Sequence, residues 1–306
     1  MEHIIEIDHL TKDYGQGRGV FDVSFFVDKG EIFGFLGPNG AGKSTTIRHL
    51  MGFSRPDSGK TLLNGHESNK ERDIIMKKVA YVPGEIALPK NLKGKEVIQI
   101  QKELKGVCDD SFLTYLKEYF QLDDNLYCKE MSLGMKRKMA IVSAFMSDPD
   151  VIILDEPSSG LDPEMQERFI ALLKEEKKRG KTILLSSHIF EEVDACCDRI
   201  AVIKDGKIVS LFHADDLKHN KIKRYVITYE TEEKRDNAIK RLEENGFHSE
   251  KVEKEKLIVT VHDDLINKFI SSLEKNFLDF EEKKESLEEY FMSFYKEDLK
   301  YGGISQ

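Results

Sequence analysis

The chain has 306 residues, of which 40% are hydrophobic and 34% charged, a composition typical of a folded protein with one large or two ordinary domains. The formal net charge of −9 argues against nucleic acid as the main partner. The sequence contains no apolar run of the ~18 residues that a membrane span needs and opens with charged residues rather than a signal peptide, so we expect a cytoplasmic protein.

Apolar runs alternate with helical patterns from residue 1 to about 217, which predicts an α/β domain. The first runs, Ile4–Ile7 and Val20–Val27, predict N-terminal antiparallel strands. The later runs are short and mostly apolar, as in a mainly parallel sheet covered on both faces; they are Glu31–Leu36, Lys78–Val82, Val151–Leu154, Thr182–Leu185 and Arg199–Ile203. Asp205-Gly206 then predicts a hairpin at the end of this sheet.

A glycine-rich loop lies between the strand Glu31–Leu36 and a predicted helix, and it fits the phosphate-binding pattern G-x-x-x-x-G-K-[ST] of nucleotide hydrolases. The glycines let backbone N–H groups point at phosphate oxygens, and the helix N-terminus attracts anions. Lys43 can reach the β- and γ-phosphates, and the Ser44 hydroxyl can bind Mg²⁺. The predicted nucleotide-binding residues are Gly37, Pro38, Asn39, Gly40, Ala41, Gly42, Lys43, Ser44 and Thr45.

Helical periodicity dominates residues 86–146, in contrast to the flanking sequence. The candidate helices are Glu96–Leu104, Phe112–Phe120 and Lys136–Met146. We interpret this stretch as a helical subdomain inserted into the sheet domain.

Two carboxylates, Asp155 and Glu156, follow directly after the predicted strand Val151–Leu154. Ligands of open α/β sheets bind at the carboxyl ends of the strands. We therefore expect Asp155 to hold Mg²⁺ and Glu156 to orient or deprotonate the attacking water.

Residues 221–306 predict a second domain, which is small and of the α+β, ferredoxin-like type. Arg224–Tyr229 and Lys256–Val261 have the composition of strands, and Glu232–Glu244 has helical periodicity and precedes the stop signal Asn245-Gly246. A last amphipathic stripe is interpreted as core packing and comprises Leu287, Tyr290, Phe291, Phe294 and Tyr295.

The segment Met131–Met135, here called the signature segment, opens a basic helix and resembles the Leu-Ser-Gly-Gly-Gln signature of ATP-binding cassette (ABC) proteins. Ser159–Asp162 resembles the D-loop of that family. His188 falls where the switch histidine belongs, and Tyr14 suits the aromatic residue that stacks on adenine. The motifs follow the family order over residues 1 to about 215.

The resemblance implies the ATP-binding and hydrolysing subunit of an ABC transporter, with ATP and Mg²⁺ as ligands and His188 beside Glu156 in the catalytic site. Two cassettes, identical or related, would close head to tail around ATP. The residues that would contact ATP held by the second subunit are Ser132, Leu133, Gly134 and Met135. An integral membrane permease subunit would hold the protein at the inner face of the cell membrane. The C-terminal domain resembles that of drug and peptide (ABC-2 type) export cassettes, which favours an exporter.

Three positions depart from the family pattern: Leu133 replaces a Gly, Met135 replaces a Gln, and Gly84 stands where a Gln normally reaches Mg²⁺ and the attacking water. Leu133 would be costly if its backbone had a conformation open only to glycine. Either water fills the place of the missing Gln side chain, or Glu85 substitutes for it. We hypothesise that Glu85 takes part in metal or coupling contacts.

Two other functions fit the same motifs. One is a soluble, non-transport ABC ATPase that acts on a macromolecular complex, although the acidic composition gives no basic surface for nucleic acid. The other is a nucleotide-gated binding module that barely hydrolyses ATP, against which Glu156 argues.

Overall fold

The computed structural model describes residues 2–218, 222–273, 276–283, 287–288 and 291, and the chain divides into two compact units between Ala214 and Asp215. The strands of the first unit are β1 (His3–Asp13), β2 (Gly19–Asp28), β3 (Ile32–Leu36), β4 (Ser58–Leu63), β5 (His66–Glu67), β6 (Val79–Val82), β7 (Val151–Asp155), β8 (Thr182–Ser187), β9 (Arg199–Lys204) and β10 (Lys207–His213). Its helices are α1 (Lys43–Leu50), α2 (Arg72–Lys78), α3 (Gly94–Lys105), α4 (Ser111–Tyr119), α5 (Leu133–Phe145), α6 (Pro163–Lys178) and α7 (Phe190–Cys196), and the division falls within α8 (Ala214–Lys218).

The main sheet of the first unit has the strand order β10-β9-β3-β8-β7-β6. Its strands are parallel apart from β10, which returns antiparallel to β9 through the predicted hairpin. All residues of β3, β7 and β8 are buried, because helices and the second sheet cover both faces. Leu36 is in register with Ser187, and Asp155 with Ser186, so the carboxyl ends of three strands meet at one edge.

A second, antiparallel sheet of the same unit has the order β2-β1-β4-β5. The two predicted N-terminal strands are present and antiparallel, and β1 continues to Asp13, beyond its apolar start. Strands β4 and β5 were not predicted. The first three residues of β4 are exposed and polar or glycine, so an apolar pattern does not mark this strand.

The predicted helical subdomain is present as α3, α4 and α5. Helix α5 begins three residues before the predicted start because the side chain of Ser132 caps it. Helix α6 was not among the predicted elements, although Asp162 caps it and Pro163 occupies its first turn.

The second unit contains β11 (Ile222–Tyr229), α9 (Glu232–Glu244), β12 (His248–Lys251), β13 (Lys256–His262), α10 (Ile266–Ser272) and β14 (Phe277–Lys283), with a short 3-10 turn, Asp263–Leu265, before α10. These strands form an antiparallel sheet of order β12-β13-β11-β14. An aromatic cluster in its core includes Tyr225, Phe247 and Phe269. Leu287 and Phe291 of the predicted final stripe are buried, whereas Tyr290, Phe294 and Tyr295 lie outside the described residues.

Candidate functional site

A cleft of about 560 Å³ opens at the carboxyl edge of the main sheet. The phosphate loop lines it together with Tyr81, Pro83, Gly84, Glu85, Ala87, Asp155 and Glu156. The loop and the two carboxylates are far apart in sequence, and they meet because β3 and β7 both pair with β8. Ligands bind at this edge in open α/β sheets.

The phosphate loop turns tightly from β3 into α1, which begins at Lys43. Gly42 has a φ of 112°, and a Cβ atom there would lie 2.7 Å from Cγ1 of Val20, so only glycine fits without strain. The Lys43 side chain is 4% exposed, and its Nζ donates hydrogen bonds to the carbonyl oxygens of Gly37 at 2.6 Å and Pro38 at 3.1 Å. These bonds hold a buried ammonium group across the loop.

The predicted nucleotide-binding residues do not all face the cleft. Asn39, Gly40, Gly42, Lys43, Ser44 and Thr45 line it, whereas Gly37, Pro38 and Ala41 are not among its lining residues. The N–H of Gly37 donates to the carbonyl oxygen of Ser187 on β8, and that of Ala41 donates to Pro38. These residues shape the loop from behind.

Glu156 lies in contact with both Lys43 and His188. Oε1 of Glu156 lies 3.1 Å from Nζ of Lys43, and Oε2 lies 3.2 Å from Nδ1 of His188. Glu156 adopts a positive φ of 49°, and its N–H donates to the carbonyl oxygen of Ser186 at 3.0 Å. Non-glycine residues held at positive φ cluster at functional sites, where the surrounding structure maintains the strain.

Asp155 is 3% exposed at the end of β7. The hydroxyl of Ser186 donates a 2.6 Å hydrogen bond to Oδ1, which fixes the orientation of the carboxylate. Burial, together with the nearby charge of Asp155, raises the pKa of Tyr81 to about 12, so the phenol stays neutral on the cleft wall.

The donor set fits Mg²⁺ better than a soft metal. The Ser44 hydroxyl and the Asp155 carboxylate line the same cleft, and Mg²⁺ prefers a few hard oxygen ligands together with water and phosphate oxygens. Within the described part of the chain, no group of three or more His, Cys, Asp or Glu side chains could by itself hold a metal ion.

Gly84 and Glu85 both line the cleft. A Cβ atom at Gly84 would lie 3.2 Å from Oδ2 of Asp155, so the main chain at this position packs closely against the carboxylate. The Glu85 side chain is exposed and lines the cleft.

The signature segment lies outside the lining of this cleft and packs against the D-loop. The Oγ atom of Ser132 accepts a 3.2 Å hydrogen bond from the N–H of Met135 and so caps α5. Leu133 is the first residue of α5 and does not have a positive φ, so leucine costs no backbone strain there. Its side chain covers Gly160, where a Cβ atom would lie 2.9 Å from Cδ2 of the leucine. Leu133 is 57% exposed, so this surface is available to a second molecule.

Tyr14 is not brought to the cleft. Its ring is 56% exposed, and Nζ of Lys12 lies 5.8 Å from the ring centroid. The residues that line the cleft do not include it.

Sequence reasoning missed Ser186 and Arg137. Ser186 is the next-to-last residue of the buried strand β8, and nothing in its sequence context distinguishes it from a structural serine. The sequence predicted Arg137 as part of a basic helix, but the residue is 2% exposed. Its guanidinium group donates hydrogen bonds to Pro83, which precedes α5 in the sequence, and to Ser159, which follows it. Arginine in a basic run is usually solvated, so its burial could be found only in the folded chain.

Comparison with known proteins identifies the family. The sequence pattern of the ABC transporter family matches residues 20–159. The Nod factor export ATP-binding protein I of Paraburkholderia xenovorans is 36% identical over 214 residues, which cover 68% of this chain and 70% of that protein. The chain belongs to the ABC transporter ATP-binding proteins.

Further comparisons agree with this ABC assignment. The bacitracin transport ATP-binding protein BcrA of Bacillus licheniformis is 36% identical over 227 residues, covering 71% of this chain and 72% of that protein. A solved structure described as the ATP binding subunit of an ABC transporter is 31% identical, with a TM-score of 0.65, and covers 70% of this chain and 92% of that one. As an ABC transporter ATP-binding protein, the chain is an ATPase. None of the helices in its described residues is long and apolar enough to cross a membrane.

Gly134→Ala tests the packing of the ABC signature segment. A Cβ atom at position 134 would lie 2.8 Å from the carbonyl oxygen of Gly160, so the D-loop must shift to admit it. We expect ATP-driven dimerisation and the ATPase rate to fall by about tenfold or more, whereas ATP binding to the single chain is retained. Sedimentation and steady-state phosphate release measure the two effects. Unchanged dimerisation would show that this contact is not needed.

Proposed function

We propose that the chain is the ATP-hydrolysing subunit of an exporter and drives a separate membrane permease through ATP-dependent closure of a cassette dimer. The observation that carries the proposal is the contact between Lys43, Glu156 and His188 beside the phosphate loop. The names of two relatives, one in Nod factor export and one in bacitracin transport, support export of a drug-like or peptide cargo.

The phosphate loop binds the triphosphate of ATP. Its main-chain N–H groups and the N-terminus of α1 face the cleft and stabilise negative charge. Lys43 moves its ammonium group from the loop carbonyls towards the β- and γ-phosphates. Tyr14 stacks on the adenine once a nucleotide is bound, which requires its exposed ring to move to the cleft.

Ser44 and Asp155 would hold Mg²⁺, which would neutralise negative charge that develops during phosphoryl transfer. Ser186 keeps the Asp155 carboxylate in one orientation. Glu156 orients the attacking water and accepts its proton, and His188 donates a hydrogen bond to a γ-phosphate oxygen. Glu156 directly follows β7 and His188 directly follows β8, at the carboxyl edge of the main sheet. Oε2 of Glu156 lies 3.2 Å from Nδ1 of His188.

The signature segment completes the site of a partner cassette, which is either a second copy or a related chain. The N-terminus of α5, with the Ser132 side chain and the N–H of Gly134, is suited to a γ-phosphate. Leu133 and Met135 flank these groups on the surface that faces the partner.

Residues 1–217 form the ABC cassette, and residues 221–306 form a ferredoxin-like accessory domain. The order of elements β11 to β14 and the antiparallel strand order β12-β13-β11-β14 support that assignment. The helical subdomain, residues 86–146, receives a cytoplasmic segment of the permease, which holds the cassette at the inner face of the membrane.

Glu85 takes over part of the role of the glutamine that Gly84 replaces. Glu85→Ala is expected to lower the ATPase rate about tenfold and to raise the Mg²⁺ concentration needed for half-maximal rate, because the exposed carboxylate lines the same cleft as Asp155. A magnesium titration of phosphate release measures both. An unchanged rate with unchanged Mg²⁺ dependence would remove Glu85 from the site.

Co-purification tests the transport function. The tagged full chain is expressed in its native cells, the membranes are solubilised in detergent, and the captured chain is tested for a bound polytopic membrane protein. We expect the two to elute together and the ATPase rate to change on reconstitution into liposomes. Elution without the membrane protein, together with sedimentation on ribosomes, would instead favour a non-transport ABC ATPase.

A further inference from the structure

Arg137 is among the largest fully buried side chains, although it lies in a run of basic residues at the start of α5. Its guanidinium group donates three hydrogen bonds to main-chain carbonyl oxygens. Nη1 bonds to Pro83 at 2.8 Å, Nη2 to Gly84 at 2.8 Å, and Nε to Ser159 at 3.1 Å. One side chain of the signature helix therefore holds two loops that are more than seventy residues apart in sequence.

A buried charge needs compensation, because burial removes it from water. Desolvation lowers the pKa of the Arg137 guanidinium, while the charges of Glu156 and Asp155 raise it. The carbonyl dipoles and these two carboxylates together compensate the charge. The guanidinium therefore lies in the electrostatic field of the same acids that act on Mg²⁺ and water in the proposed function.

The two loops have different neighbours. Gly84 packs against Oδ2 of Asp155 within its own cleft, and the D-loop residue Gly160, next to Ser159, packs against Leu133 and Gly134 of the signature segment. Ser132, five residues before Arg137, is in the segment that faces the partner's nucleotide in the proposed function. Arg137 is the side chain that joins these surfaces through direct hydrogen bonds.

We propose that Arg137 is a positioning residue that fixes the Pro83–Gly84 loop and the D-loop to the signature helix, so that the surface facing the cassette's own ATP and the surface facing the partner's ATP move as one body. The proposal rests on the proposed function for its consequence, but the link itself is a property of the single chain. Gly84 has no side chain that could form such a link. Arg137 forms it instead by donating a hydrogen bond to the main-chain carbonyl oxygen of Gly84.

The planar guanidinium is needed because its donors reach three acceptors in fixed directions. A lysine keeps the charge but has a single donor nitrogen, and a methionine keeps an unbranched side chain but has neither charge nor donors. The variants Arg137→Lys and Arg137→Met therefore separate positioning from charge. Lys138→Met is the matched control, since Lys138 is the next residue of the same helix and is partly exposed.

The first readout is amide hydrogen exchange of the single chain without nucleotide. We expect Arg137→Lys and Arg137→Met to raise the exchange rates of amides in both segments, 84–87 and 159–161, by about tenfold, and Lys138→Met to leave both unchanged. Thermal unfolding is recorded for each variant. If Arg137→Met unfolds, Arg137→Lys, which preserves charge and length, decides the result. Unchanged exchange in either segment of Arg137→Lys would overturn the proposal.

The second readout is ATP-driven dimerisation in a Glu156→Gln background, measured by sedimentation. We expect Arg137→Lys to weaken the dimer by about tenfold, while fluorescent ATP binds the single chain with unchanged affinity. A dimer as tight as that of Glu156→Gln alone, with raised exchange in both segments, would overturn the coupling role. If Glu156→Gln itself does not dimerise with ATP, the proposed function fails, whereas the exchange experiment still tests the link.

Discussion

Glu156→Gln is expected to bind ATP like the parent and to lose nearly all turnover, with the rate of phosphate release falling by about 10²- to 10⁴-fold. The amide has the same shape but cannot accept a proton from water, and it also gives up the charge that contacts Lys43 at 3.1 Å and His188 at 3.2 Å. Steady-state phosphate release and titration with a fluorescent ATP analogue separate the two effects.

The control for this variant is Glu191→Gln, which removes a carboxylate from an exposed position of α7. The control is expected to hydrolyse ATP at the parental rate. Hydrolysis by Glu156→Gln at the parental rate would show that Glu156 is not the base. If the parent chain itself binds ATP but does not hydrolyse it, a nucleotide-gated binding module would be favoured.

Lys43→Met is expected to lose ATP affinity by about 10- to 150-fold, which corresponds to ~1.5–3 kcal/mol for charge-assisted hydrogen bonds. Lys43 is 4% exposed. Methionine nearly matches this buried lysine in length, so the substitution chiefly removes the ammonium group. The carbonyl oxygens of Gly37 and Pro38 then lose their donor, which loosens the loop as well. Equilibrium binding of fluorescent ATP measures the effect.

Lys60→Met is the control for this second variant, because Lys60 is an exposed lysine on β4. It is expected to leave ATP affinity unchanged. Parental affinity in Lys43→Met, with an unchanged melting temperature, would show that the loop binds phosphate through its main chain alone.

Local patterns were enough to predict the phosphate loop and the buried strands. Glycine spacing, a lysine and a hydroxyl within a few residues define the loop, and its strand and helix flank it directly. The strands β3, β7 and β8 are buried on both faces, so their apolar runs were visible without any partner. The order of the motifs then indicated the family.

Features that depend on tertiary contacts were not predictable from local patterns. Strand β4 starts with exposed polar residues, and Arg137 differs from its basic neighbours only in being buried. The expected backbone cost of Leu133 was wrong, because that residue is the first of a helix, which any side chain can begin. Tyr14 stays a prediction, since a surface ring is positioned by the ligand it contacts.

Leu133 and Gly160 share one volume: the leucine side chain occupies the space into which a side chain at position 160 would project. Substitutions at the two sites are therefore not additive, and a double-mutant cycle between them should return a sizeable interaction energy. Restoring the usual glycine at position 133 would uncover the D-loop backbone rather than repair the motif. A variant of either motif must therefore be judged together with the residue that packs against it.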